Sequence, residues 1–327
     1  MTTHLLSRAL LTATLLVTVI QRHTGGIGGD AYDYIDAASN LTGSRFPPGF
    51  PLLLAPIASS WWMMELLALA IALGLVAAIY RAAVHIGGWW AGVAASVLML
   101  LSPAITHGGA AIMSDRLGAL LVVGGLLAIL HERPVLAGLL VGLSGWVRLV
   151  HVALCAVLPR RAWPAAVVTV GLLVAWQMFV KGSLLGYTSD AASFAVGNIT
   201  GQVALEQMAV DSPYTNLGYF PVRLFGLESM VTGALHTDHL APFLILPAVV
   251  GLRRWWGDAA RFAVLACVVN LAVYLPYFFQ SARFVLPGGC LLTVFAAAAF
   301  SGTGGGKDEG DQTWTAETPS LSLSGRA

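Results

Sequence analysis

The sequence predicts an all-α protein, a polytopic transmembrane helical bundle of about eight full spans plus a short helical hairpin, with interfacial helices on its outer side. Three observations carry that prediction. Of 327 residues, 57% are hydrophobic and 10% charged, with a mean hydropathy of +0.78, too apolar for a soluble domain on a single anchor. The apolar residues fall into runs of roughly membrane-crossing length joined by polar connections. Arginines recur in alternate connections, the bias that orients helices in a bilayer. A net charge of +1 gives no electrostatic footprint for a nucleic-acid partner.

In chain order, the spans are predicted near residues 5–20, 61–80, 89–105, 117–130, 162–180, 240–252, 262–277 and 284–300. The first has a basic residue ahead of its apolar run but no small-residue cleavage site, so it reads as uncleaved. The run 135–158 is long enough for one crossing, yet Arg148 and His151 stand in its middle, a costly place for charge facing lipid. Loop charge arbitrates. A single crossing would put Arg160, Arg161, Arg253, Arg254 and Arg261 outside, whereas two short half-helices turning near Arg148 put them all in the cytoplasm. The second arrangement is favoured, since backbone can turn at membrane depth where protein or a watery cavity surrounds it.

That topology places both termini in the cytoplasm. The membrane module covers 1–301, with a first outer loop at 21–48 and a long outer loop at 182–239. The Gly/Ser/Thr-rich stretch 302–327 reads as a disordered cytoplasmic tail. Cys155, Cys267 and Cys290 each lie in apolar sequence without metal spacing and read as small apolar residues. The paired tryptophans at 61–62, 89–90 and 255–256 suit an aromatic belt. His236 and His239 offer an i, i+3 pair, too little for a metal site on its own. The N-x-Thr matches at Asn40 and Asn198 are treated as chance.

The stretch 29–54 breaks the apolar pattern with three carboxylates, Asp30, Asp33 and Asp36, followed by Arg45 and a Pro-Pro-Gly-Phe-Pro turn. Asp30, Tyr34 and Ala38 are spaced i, i+4, i+8 and stand nearly above one another on a helix. Asp30 is thus expected on the seam between polar and apolar faces, with Asp33 beside it and Asp36 on the polar side. A carboxylate on such a seam looks into a partly desolvated cavity, where a second acid raises its pKa and a cation lowers it. A solvated acidic loop is the plain alternative.

Four segments give the chain a resemblance to the GT-C class of polytopic glycosyltransferases, and within it to the protein O-mannosyltransferase and aminoarabinose transferase branch. The first-loop pattern Asp30, Tyr34, Ala38 is followed by PPGFPLLLA at 47–55, similar to that branch's proline-rich approach to its next helices. SDRLGALL at 114–121 resembles the acidic residue that opens a later span from outside. The run 136–161 resembles its short helical hairpin with an arginine near the turn, and YFFQSARFVLPGGCLL at 277–292 its aromatic, arginine and proline motif. Two departures stand out. The additional spans and large soluble C-terminal domain of many members are missing, and an Asp-Glu pair common in some first loops is Asp30-Ala31 here.

The resemblance implies a donor in which a sugar rides on a polyprenyl phosphate, since an outward-facing site has no nucleotide sugar at hand. The carrier phosphate is already a competent leaving group, so the task is one base for the acceptor hydroxyl plus cations for the developing phosphate charge. Asp30 matches the family's first-loop aspartate and is the expected base, giving displacement with inversion. Asp115 is a second acid, orienting acceptor or cation, or simply complementing a helix dipole. Arg283, Arg148 and Arg45 are the expected phosphate ligands, because a guanidinium grips phosphate oxygens in pairs and keeps its charge. Snorkelling at the interface is the plain reading of Arg283. Asp33 and Tyr34 support the base. No metal ligand set is assigned, and dependence on a divalent cation is left open. The expected partners are the polyprenyl-phosphate sugar, membrane lipids and an extracytoplasmic acceptor of unassigned class. The expected place is the cell membrane, with the site facing outside. A transporter or flippase for lipid-linked sugars, or a non-catalytic binder of them, would use the same outer cations. The one-sided clustering of acids and arginines favours the enzyme.

Overall fold

The computed structural model describes residues 9, 12–13, 31–42, 44, 46–100, 114–183, 186–187, 241–274 and 286–300. Among these every regular element is helical. The predicted first span, most of the long outer loop and the tail lie outside the described residues.

Helix α1, Ala31–Ser39, is short and amphipathic: Ala31, Tyr34, Ala37 and Ala38 are buried, while Tyr32, Asp33 and Asp36 face out. After the two prolines, α2 runs Gly49–Leu54 and buries Phe50 and Leu54 at i, i+4. Gly49 lies against the backbone of Trp146, where a Cβ would come within 2.7 Å of the carbonyl oxygen. Gly49→Ala is therefore expected to overpack this joint and lower stability by about 1–3 kcal/mol, read as a reduced melting temperature in detergent.

Helix α3, Trp61–Leu100, contains 40 residues, about 60 Å at 1.5 Å each, twice the hydrocarbon thickness of ~30 Å. It is broken at Gly88, whose φ of 77° suits a residue without Cβ. Past the break the chain doubles back, so that Gly92 faces Tyr80, whose ring would lie 2.8 Å from an added Cβ. The two runs read from the sequence thus meet at one glycine, with helix persisting through residues 81–87 where a connecting loop was expected.

Helix α4, Ser114–Leu130, leads through a tight turn at 131–133 into α5, Pro134–Val147. Arg148 is extended (φ −140°, ψ 114°), and a 3₁₀ segment, Leu149–Val157, follows. A second 3₁₀ turn, Arg160–Ala162, opens α6, Trp163–Lys181. The contacts fix the directions. Gly138 of α5 faces Ala165 (a Cβ would lie 3.0 Å away), and Gly142 faces Thr169 (2.8 Å), so α5 and α6 run parallel. The chain between them must return, and the 3₁₀ segment is that return. At about 2.0 Å per residue its nine residues cover ~18 Å, close to the ~21 Å climbed by the fourteen residues of α5. This is the fold-back that the loop charges favour, with Arg148 at its crest; the second arm is 3₁₀ rather than the α-helical half expected.

Three further helices complete the described bundle: α7, Ala241–Arg254, interrupted by Pro247; α8, Asp258–Tyr274; and α9, Leu286–Ala299. Helix α9 is the central one, buried along most of its length and packed on α3 and α7. Helix α8 packs on α9 and on the return segment. Helix α6 turns Ala166, Thr169, Leu173 and Gln177 inward, while Val167, Val168, Leu172 and Phe179 (86% exposed) make an apolar outer face. Such a face is suited to lipid, not water.

Among the described residues, two helical stretches are long and apolar enough to cross a membrane, Trp61–Met99 and Arg160–Lys181, the first divided at Gly88. Pro134–Val147 and Leu286–Ala299 are apolar but shorter. The described helices therefore do not by themselves establish eight spans.

Candidate active site

The first turn of α4 places three consecutive polar residues out of contact with solvent. Ser114, Asp115 and Arg116 are 0%, 5% and 5% exposed, at the start of an otherwise apolar helix. Antiparallel packing of α4 against α5 brings Asp115 beside the hairpin crest, where Arg148 Nη1 donates to Asp115 Oδ1 in a partly buried ion pair. Removing two charges from water is costly, and the pair persists only because each neutralises the other. Asp115 Oδ2 is also buried and has no hydrogen-bond partner among the described residues. A guanidinium carries five N–H donors in a planar fork, a geometry that matches carboxylate and phosphate oxygens.

One residue earlier, the Ser114 and Tyr34 hydroxyls share a hydrogen bond of 2.7 Å. Tyr34 belongs to α1, and its ring packs on Phe46 (centroids 4.2 Å apart) and edge-on to Phe50 (5.1 Å). Beneath the pair lies His151, 1% exposed, its backbone N–H bonded to the Arg148 carbonyl oxygen at 2.9 Å. Its ring fills the space left by Gly118 of α4, where a Cβ would stand 2.7 Å from the imidazole. The first-loop helices, the start of α4 and the crest thus converge at one end of the bundle.

Of the residues singled out in the sequence, Tyr34, Asp115 and Arg148 come together here. Asp30, Arg45 and Arg283 lie outside the described residues, as do His236 and His239; α1 begins at the residue after Asp30. Asp33 is on the exposed side of α1. Sequence reasoning gave Ser114 no role of its own, although it stands in the SDRLGALL segment, and treated His151 only as an oddity of the hairpin. The signal for both was a polar residue beside a charged one in apolar surroundings. Among the described residues no three His, Cys, Asp or Glu side chains gather as a metal would need, and all three cysteines are free thiols.

No family model and no curated protein matches the chain. Among solved structures it is similar to ArnT, the aminoarabinose transferase of Cupriavidus metallidurans, in a crystal structure bound to undecaprenyl phosphate. That likeness has 13% identity and a TM-score of 0.57, and covers 90% of this chain and 59% of ArnT. It is also similar to the oligosaccharyltransferase of Archaeoglobus fulgidus in complex with Zn and sulfate, at 15% identity and a TM-score of 0.54, over 89% of this chain and 48% of that one. Both are GT-C glycosyltransferases, so the fold is of the GT-C kind that the motifs resemble. The chain spans about half to three-fifths of the length of these structures.

Proposed function

We propose that this chain is a polytopic membrane glycosyltransferase that moves a sugar from a polyprenyl-phosphate carrier to an extracytoplasmic acceptor hydroxyl. The observation that carries the proposal is the partly buried Asp115–Arg148 pair, set at the bundle end to which helix α1 is docked. Charge at membrane depth needs a function, and a guanidinium held in place by a carboxylate suits a phosphate. The fold shared with ArnT, itself seen with undecaprenyl phosphate, supports a carrier of that class.

In this reading Asp30 takes the proton from the acceptor hydroxyl. The acceptor oxygen bonds to the anomeric carbon on the face opposite the phosphate, whose C–O bond breaks with the electron pair leaving on the carrier. The configuration inverts. Arg148, Arg283 and Arg45 receive the phosphate charge as it develops. Asp115 holds the Arg148 fork in place, and Asp33 and Tyr34 support the first-loop helix. About eight spans cross the cell membrane, the site faces outside and both termini lie in the cytoplasm. The module is 1–301 and the tail 302–327.

The test is transfer of label from a polyprenyl-phosphate sugar in membranes holding the full chain. Release of free polyprenyl phosphate with a product of inverted anomeric configuration is expected; transport of intact donor without release would favour a flippase instead. Arg283→Ala is expected to raise the donor KM about ten- to a hundredfold, the loss of a hydrogen bond to a charged group. An unchanged donor KM would remove Arg283 from the phosphate site.

A further inference from the structure

The geometry points to Ser114 as a positioning residue that sets the first-loop helix against the hairpin crest, an inference that rests on the function proposed above. Helix α1 has nine residues, too few to hold a helix or a place without tertiary contacts. Ring packing of Tyr34 on Phe46 and Phe50 keeps α1 on the bundle but is only weakly directional. The Tyr34–Ser114 bond is directional and buried, with Tyr34 5% and Ser114 0% exposed, so it fixes the helix in height and rotation. The next residue, Asp115, clasps Arg148.

One dipeptide on one rigid helix therefore anchors both halves of the site. Ser114 sets where α1 begins, directly after residue 30, and Asp115 sets where the guanidinium stands. The close approach of Gly49 to Trp146 joins the same loop to the same crest from the other side. The placement of α1 relative to the Arg148 guanidinium is then decided at residues 114 and 115, outside the first loop. A shift of about 1 Å in such a distance lowers turnover by up to about a hundredfold while leaving substrate binding in place.

The experiment uses the purified full-length chain with a labelled polyprenyl-phosphate sugar and rates normalised to folded protein. Ser114→Ala and Tyr34→Phe are each expected to lower kcat about tenfold or more with the donor KM within about twofold. The double variant is expected to be no slower than the slower single, because both delete the same bond. Ser114→Thr, which keeps the hydroxyl, is expected to retain most of the rate. Tyr34→Phe removes the bond from the other partner, so the test survives if Ser114→Ala folds poorly. Unchanged kcat per folded molecule, losses that add in the double variant, or a Ser114→Thr rate as low as Ser114→Ala would each overturn the inference and leave the transferase standing. A wild type that transfers no sugar from any lipid-phosphate donor would overturn both.

Discussion

Asp30→Asn is expected to slow sugar transfer by about 10²–10⁴-fold, the usual contribution of a general base, while donor binding stays within about twofold of wild type. The amide keeps the size and much of the hydrogen-bonding capacity of the carboxylate and removes only its ability to take a proton. Both halves of that outcome are needed. A fall in kcat with unchanged donor KM places the residue at the acceptor, on the far side of the anomeric carbon from the phosphate. A parallel loss of donor affinity would mean that residue 30 shapes the phosphate end. Equal transfer by wild type and variant would sink Asp30 as the base. Single-turnover measurements with saturating donor separate these cases, because they isolate the chemical step from carrier release.

The second large effect is on stability. Asp115→Ala or Arg148→Ala alone removes one partner of a partly buried, charge-assisted hydrogen bond, and each is expected to destabilise the folded protein by about 1–3 kcal/mol. Replacing both, as Asp115→Leu with Arg148→Met, is expected to recover most of that loss, since an apolar pair of similar volume avoids the desolvation cost. Thermal melts in one detergent at one protein concentration would show it. Two single losses that simply add would mean that the residues are not coupled. The double variant is further expected to be inactive although stable, which separates the role of the pair in folding from its role at the phosphate.

The sequence showed the hairpin more clearly than it showed the site. Arg148 and His151 in an apolar run are costly against lipid, and that cost, with the arginines at 160 and 161, requires the chain to turn back. Helix α1 was legible for a similar reason: Tyr34 and Ala38 at i, i+4 define its buried face. Element ends were less legible. Arg81, Ala82 and Ala83 are good helix formers that carry the helix past residue 80, and the break falls at Gly88, where backbone freedom permits it, so no separate loop forms. The 3₁₀ return was hidden because nine residues match the climb of fourteen only with the longer rise. Asp115 and Arg148 were each noticed, but for different ends of the substrate. That they grip each other depends on the register of α4 against α5 across 33 positions, which local pattern does not encode. Ser114 was missed for the same reason, as its partner lies 80 residues earlier.

The parallel arrangement of α5 and α6 bears on how the chain is made. Neither arm of the fold-back is long enough to cross the hydrocarbon by itself, and the crest between them carries the Arg148 guanidinium, a group that oil will not solvate. A nascent chain that has reached only Pro159 therefore has no favourable place in the lipid phase. Two helices that pack on the return segment, α6 and α8, lie later in the chain. The fold-back therefore depends for its shelter on sequence that follows it, and is expected to settle only with those later helices.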